Sequence, residues 1–239
     1  LPDVLVGEVL HERLRARVAV EELLTDELPV VGAERLEVAV ARLPARISTS
    51  IGGELRLVRG GRYTMGSARR EPGRRSNESQ HEVELRRPFY IGLREVTNRE
   101  FRAFRKEHAS GLYREETLDL DRQPVADVGW AEAAAFCNWL SQKEGLPPAY
   151  VEKDGRTVLA DPVTTGYRLP TEAEWEFVAR FDGAAATLRY PWGNELPLKP
   201  GSGNYADRSA EFLSVEVLPD YDDGARVAAP GEAHGDDAH

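Results

Sequence analysis

The sequence predicts an α+β fold made of short helices and small antiparallel sheets, preceded by a small β-rich segment. Three observations point there. Apolar residues alternate with polar ones in short runs separated by glycines and turn residues, the pattern of half-buried antiparallel strands. Three later segments carry helix start signals instead. Many glycine and proline turns separate these short elements, which is compatible with an irregular fold.

Residues 1–50 form the first unit. Leu14, Ala16, Val18 and Val20 alternate with Arg13, Arg15 and Arg17, and Leu36, Val38 and Val40 alternate with Arg35 and Glu37. Both runs read as strands, with turn chemistry in TDELPVVGAE between them. A helix over part of Val4–Leu24 is the competing reading. The unit reads as a β-rich N-terminal segment or as the end of an upstream module. The chain opens on Leu1 with no basic start and apolar run, so either a signal peptide has been removed or it is a piece of something longer, the reading favoured here.

From Ile51 the texture changes, and residues 51–230 read as the main domain. GGELRLVRGGRYTMGS gives two short strands punctuated by glycine, and HEVELRRPFYIGLREVT is strand-like again. Between them lies the polar loop RREPGRRSNESQ, where Arg69, Arg70, Arg74 and Arg75 form either an anion site or a solvated loop. The solvated loop is favoured, because acidic residues flank it and no aromatics interleave.

The three helices follow. Thr97 with Glu100 three residues on is a capping box, in which a hydroxyl accepts from one free amide while the glutamate reaches back to another. Behind it, Phe101 and Phe104 share a face. Trp130, Ala133, Ala134, Cys137 and Leu140 have the spacing of a buried stripe, and Gly145 with the Pro147–Pro148 pair ends that helix. In LPTEAEWEFVARFDG, Thr171 is the N-cap and Glu174 its partner; Trp175, Val178 and Ala179 are expected to face inward, and Gly183 to follow the end. Glu172 and Glu174 also complement the positive end of the helix dipole. A catalytic carboxylate pair needs two groups converging on one cleft, and no partner carboxylate is evident. These glutamates are expected to cap rather than catalyse.

Charge and composition narrow the function classes. A formal net charge of −10 opposes general affinity for nucleic acid, because the polyanion is repelled. No apolar run approaches the roughly 18 residues that cross a bilayer. Cys137 is the single cysteine, so these residues cannot form a disulfide among themselves or supply two thiols to one site.

Six blocks in order resemble the formylglycine-generating enzyme family, also called the sulfatase-modifying factor domain. They are GGRYTMGS, NESQHEVEL with Glu78 and His81, REVTNREFRAF, QPVADVGWAEAAAFCNWLS with Gly129 where serine is usual, RLPTEAEW, and YPWG at Tyr190–Gly193. The resemblance spans roughly Ile51–Pro230 and implies an irregular fold related to C-type lectins. Family enzymes oxidise a sulfatase cysteine to formylglycine with oxygen and a copper ion held by two cysteines. A protein or peptide substrate such as a sulfatase is therefore the implied partner.

The family's copper cysteines lie beyond blocks that this chain does not contain, so copper is expected only if further sequence supplies them. Cys137 matches a packing position, and a buried, inert thiol is expected. No catalytic residue is nominated. A sister branch uses an H-x-x-x-H-x-E iron motif, which does not occur here. His234, Asp236, Asp237 and His239 have ligand-type side chains, but a solvated tail over 231–239 is expected. One metal site remains. The resemblance implies a structural calcium bound by the Asn204 side chain, the Tyr205 carbonyl, the Asp223 side chain and the Ala225 carbonyl, hard oxygen donors that suit Ca²⁺. The alternative is an Asx-type turn beside a D-G turn.

Two functions are in view: a formylglycine-generating or related oxidoreductase, and a lectin-like scaffold that binds protein or carbohydrate without oxidation. The β-like N-terminal segment favours the second, in a multi-domain, extracytoplasmic setting.

Overall fold

The computed structural model describes residues 17–19, 42–71, 73–180, 188–190, 193–194, 200, 202–213 and 217–231. Strands β1 (Arg17–Ala19), β2 (Arg46–Ser48), β3 (Glu54–Val58) and β6 (Phe89–Gly92) form one antiparallel sheet in the order β1-β6-β3-β2. β4 (Gly61–Met65) and β5 (His81–Leu85) pair as a separate ribbon. Two further hairpins are β7–β8 (Leu112–Tyr113 with Glu116–Thr117) and β9–β10 (Tyr150–Lys153 with Arg156–Leu159). The helices are α1 (Asn98–Phe104), α2 (Trp130–Lys143) and α3 (Glu172–Arg180), and a 3₁₀ helix covers Arg208–Leu213. The architecture is therefore mixed α+β with short elements, as the sequence pattern implies. Among the described residues, no helix is long and apolar enough to cross a membrane.

β1 lies in the expected strand around Val18, and its backbone pairs with β6 from Arg17↔Ile91 to Ala19↔Phe89. β2 also precedes residue 50 and pairs with β3 through Ile47↔Leu55, so the sheet takes strands from both sides of that position. The second alternating run, through Val40, and the tail residues from 232 onward lie outside the described residues.

The core sits where α1 and α2 cover this sheet. Leu55 and Tyr90 from the sheet meet Phe101 of α1 and Ala134, Phe136, Cys137 and Leu140 of α2, all buried. Phe101 stacks on Phe136 at a centroid distance of 5.3 Å, and Phe104 meets Phe136 edge-on at 6.0 Å. Thr97 and Glu100 form the full capping box, and the Thr97 N–H reaches Glu100 Oε2 at 2.7 Å. Buried aromatics in contact hold α1 in place, while its cap sets where it begins.

A smaller cluster joins α3 to the β4–β5 ribbon. Phe177 meets Tyr63 edge-on at 5.3 Å beside Met65. Tyr63 donates its hydroxyl to the Ala173 carbonyl at 2.7 Å, and Glu176 Oε1 accepts the Gly66 N–H at 2.8 Å. Gly60 is required where the ribbon begins: its φ is +78°, and a Cβ there would lie 2.2 Å from the Leu85 carbonyl oxygen.

Two expected inward faces are corrected. Trp175 is 42% exposed, and α3 buries Glu174 and Phe177 instead. Residues two apart lie about 200° apart around a helix, so Trp175 and Phe177 cannot share a face. The Tyr63–Phe177 contact and a buried Arg168–Glu174 ion pair choose Phe177. Trp130 is likewise 43% exposed; it opens α2 at the edge of the core and touches Tyr150 edge-on at 5.5 Å.

Candidate functional site

The four residues proposed as calcium ligands come together in one loop cluster. Gly203 starts it with φ +142°, and a Cβ there would lie 2.9 Å from the Tyr205 ring, so only glycine lets Tyr205 fold back. Tyr221 accepts the Gly203 N–H at 3.3 Å and donates to the Gly203 carbonyl at 2.9 Å, clamping the turn from the far side. Asn204 Nδ2 donates to the Val227 carbonyl at 2.6 Å, which fixes its amide between the two loop arms. The Tyr205 N–H donates to Asp223 Oδ2 at 3.2 Å, and the Ala225 N–H to Asp223 Oδ1 at 2.7 Å. Asp222 accepts the Gly224 N–H at 3.0 Å, with Gly224 at φ +76°, which closes the D-G turn named as the alternative.

The residue that organises this cluster was missed in the sequence. Asp207 is wholly buried. Its Oδ1 accepts from the Ser209 N–H at 2.9 Å and from the Ser209 hydroxyl at 2.6 Å, while Oδ2 accepts the Asp223 N–H at 2.6 Å. Ser209 Oγ also lies 2.7 Å from the Ala225 carbonyl oxygen. Asp207 thus touches both strands of the site, directly at Asp223 and through Ser209 at Ala225. Its position after Asn204–Tyr205 gave a local signal, but its partners lie 16 residues on, beyond any short-range pattern.

The donor set fits a hard divalent cation in kind. It offers the Asn204 amide oxygen, the Tyr205 and Ala225 carbonyls and the Asp223 carboxylate, with no nitrogen or sulfur among them. The Asn204 Nδ2–H bond to Val227 leaves the amide oxygen as the group turned away from that carbonyl. Among the described residues, no three His, Cys, Asp or Glu side chains gather at one point. A cation here would therefore depend on backbone oxygens for half of its protein ligands.

Cys137 lies in the core, fully buried, and burial pushes its thiol up to about 12. A neutral thiol is neither a nucleophile nor a metal ligand, because both roles need the thiolate. Two glutamates of α3, Glu174 and Glu176, accept backbone N–H groups of the protein itself. Glu174 Oε2 accepts the Thr171 N–H at 2.9 Å, and Thr171 Oγ1 accepts the Glu174 N–H at 3.3 Å, completing the expected box. In the basic loop, Arg74 Nε donates to the Ser67 carbonyl at 3.1 Å, while Arg69, Arg70 and Arg75 are exposed.

A serine and a histidine also meet, at His108 and Ser110. Ser110 is buried; its hydroxyl donates to Asn98 Oδ1 at 2.5 Å and accepts the Ala126 N–H at 2.9 Å. His108 Nε2 lies 3.0 Å from the Ala126 carbonyl and 3.5 Å from Ser110 Oγ. The ring nitrogen therefore carries a proton for the carbonyl and has no lone pair for the serine. The pair braces a loop and is not a nucleophile with its base.

A family model for the sulfatase-modifying factor enzyme 1-like domain matches residues 42–237. Chaperone protein LppX of Paenibacillus barcinonensis is 31% identical over 161 residues, covering 62% of this chain and 52% of that protein. The formylglycine-generating enzyme of Streptomyces coelicolor is 34% identical over 176 residues, covering 64% and 54%. The inactive C-alpha-formylglycine-generating enzyme 2 of Bos taurus is 31% identical over 161 residues, covering 57% and 51%. The chain thus spans about half the length of these relatives. Among solved structures, PvdO from Pseudomonas aeruginosa superposes with a TM-score of 0.53 at 23% identity, over 79% of this chain and 66% of that one, a likeness of fold alone.

Proposed function

The chain belongs to the sulfatase-modifying factor family, and from that premise we propose that these residues act as a calcium-ordered binding scaffold rather than as the part that oxidises cysteine. One observation carries the reading. The sole thiol of the 239 residues, Cys137, is buried in the core and held neutral. Copper chemistry of the family kind needs two soft thiolates at one exposed point, and these residues offer neither. The similarity to the inactive bovine enzyme 2 is in keeping with a family domain kept for purposes other than oxidation.

The calcium would be held by Asn204, Tyr205, Asp223 and Ala225, and would supply charge neutralisation and a rigid loop. The ligand of such a scaffold would be a protein, of which a sulfatase segment is one candidate, or a carbohydrate docked on loops as in the lectin-related fold. Calorimetric titration with Ca²⁺ tests the ion directly. Binding by the unaltered protein and its loss in Asp223→Ala are expected; no heat from the unaltered protein removes the site.

A second reading follows from the 34% identity to the Streptomyces enzyme. There the same scaffold presents a sulfatase peptide to thiols supplied elsewhere in a longer protein. Incubating the full-length protein with a cysteine-bearing sulfatase peptide, copper and air separates the two. Unchanged peptide supports the scaffold, whereas an aldehyde product establishes the oxidase.

A further inference from the structure

Between the turn at Thr49–Gly53, the exit of β6 and the first turn of α1 lies a cavity of about 30 Å³. Its lining joins apolar Phe136 and Leu140 to a polar wall of Thr49, Glu54, Arg94, Glu95 and Glu100. Two atoms on that wall are buried without a hydrogen-bond partner in the protein: Glu100 Oε1, on a residue 4% exposed, and Arg94 Nε. Buried polar groups of this kind are nearly always satisfied, so each calls for a partner.

The side chains do not satisfy one another. Arg94 Nη2 lies 3.7 Å from Glu100 Oε1, and Arg94 Nη1 lies 3.7 Å from Glu54 Oε2, both beyond hydrogen-bond length. Glu100 is not free to close the gap, because its other oxygen accepts both the N–H and the hydroxyl of Thr97, at 2.7 and 2.9 Å. Turning the carboxylate toward Arg94 would undo the cap of α1. Arg94 is restrained from its other side: a Cβ at Gly231 would lie 2.8 Å from Arg94 Cβ, so the chain near residue 231 runs over its stem.

We propose that this cavity is the site of one tightly held water molecule, donating to Glu100 Oε1 and accepting from the Arg94 Nε–H. The space of about 30 Å³ open to the centre of a water-sized sphere exceeds the roughly 10–15 Å³ that one water needs on that measure, and a held water needs two or more polar partners. The pairing also selects the species. A cation could meet Glu100 but would confront the Arg94 N–H. An anion could meet Arg94 but has no proton for Glu100. Only a molecule that donates and accepts serves both. Thr49 lines the same wall, and its oxygen accepts the Gly53 N–H at 2.9 Å, which directs its hydroxyl proton elsewhere and offers the water a third partner. The water would thus complete the α1 capping carboxylate and tie it to the residue on which the chain near 231 rests.

Gly53 supplies the test. A Cβ there would lie 3.4 Å from Glu100 Oε1 and 3.0 Å from Thr49 Oγ1, on the cavity wall, and its φ lies outside the left-handed region, so alanine meets no backbone penalty. A high-resolution crystal structure of the whole chain should show one ordered water within about 3.2 Å of both Arg94 Nε and Glu100 Oε1. Relaxation dispersion of the solvent nuclei should count one fewer long-lived water in Gly53→Ala than in the unaltered protein. A direct Arg94–Glu100 hydrogen bond with no water between them overturns the proposal, as does an equal water count in the two proteins. Should Gly53→Ala fail to fold, the crystal structure of the unaltered protein decides alone.

Discussion

Arg168 and Glu174 form a two-pronged ion pair, with Nη2 to Oε1 at 2.8 Å and Nη1 to Oε2 at 3.0 Å, and each side chain is only 8% exposed. The pair lies six residues apart in RLPTEAEW, the block that most strongly marks the family. Arg168 Nη1 also donates to the Leu169 carbonyl at 2.7 Å, so the guanidinium stitches the turn before α3 to the helix. Glu174 in turn caps the helix through Thr171. One carboxylate therefore serves the helix dipole, the cap and a buried cation at once.

Removing that carboxylate is expected to be costly. Glu174→Ala leaves the Arg168 charge buried and unpaired, a change worth about 3–5 kcal/mol. Replacing both residues with apolar ones of similar volume should cost less, because no charge is then stranded. Denaturant unfolding of the two variants checks this. A double variant no more stable than Glu174→Ala would show that the stranded charge is not the source of the loss.

The two capping boxes should differ in worth. Thr97 is 5% exposed and its box is buried, whereas Thr171 is exposed. Thr97→Ala should lie at the upper end of the range for lost caps, about 2 kcal/mol, and Thr171→Ala near its lower end, about 0.5 kcal/mol. Midpoints of urea unfolding measure both. Equal losses would mean that burial does not set the strength of these caps.

Much of this fold was legible because the signals were local. A cap joins residues three apart, a strand alternates every second residue, and both rules operate within one element. The β9–β10 hairpin was overlooked although its signal was present: Asp154–Gly155 sits at the turn with φ of +52° and +70°, the preference of a two-residue hairpin loop. The exposure of Trp175 was not legible, because the inward face of α3 is chosen by Tyr63, more than a hundred residues earlier. The same reason hid Asp207. Asn204, Tyr205, Asp223 and Ala225 could be matched to a family pattern, but the buried carboxylate that aligns them has no such pattern to announce it.

Stability should fall at alkaline pH, with a defined sign. Burial pushes the Cys137 thiol and the Tyr150 hydroxyl each up to about 12, and raises Tyr63 and Tyr167 as well. For Tyr167 the nearby Glu144 carboxylate adds to burial, as it accepts the phenol proton at 2.5 Å. In the unfolded chain these groups ionise near about 8.5 for cysteine and about 10 for tyrosine. The folded state therefore binds more protons than the unfolded one above those values. Its stability is full below about pH 8.5 and is lost progressively as pH rises toward 12. Tyrosinate absorbance from the buried tyrosines should appear together with loss of helical circular dichroism. Tyrosinate that forms fully while the fold persists would contradict the direction of these shifts.

Asp207 offers the sharpest test of the loop cluster. Its carboxylate accepts three donors: the Ser209 N–H, the Ser209 hydroxyl and the Asp223 N–H. Asp207→Ala strands two backbone amides, each costing about 1–3 kcal/mol when buried without a partner. Asp207→Asn keeps the size but places an NH₂ group against at least one of those donors, so it should rescue only part of the loss. Because Asp207 reaches the proposed ligands through Asp223 and Ser209, the two variants should also weaken Ca²⁺ binding in the same order as they lose stability. Asp223→Ala should behave differently: it also strands two amides, those of Tyr205 and Ala225, but it removes a ligand directly, and so should abolish calcium binding outright rather than weaken it in step with stability. Thermal unfolding with and without Ca²⁺ separates the two patterns. If Asp207→Asn binds calcium as tightly as the unaltered protein, the buried carboxylate supports the fold but does not aim the loop.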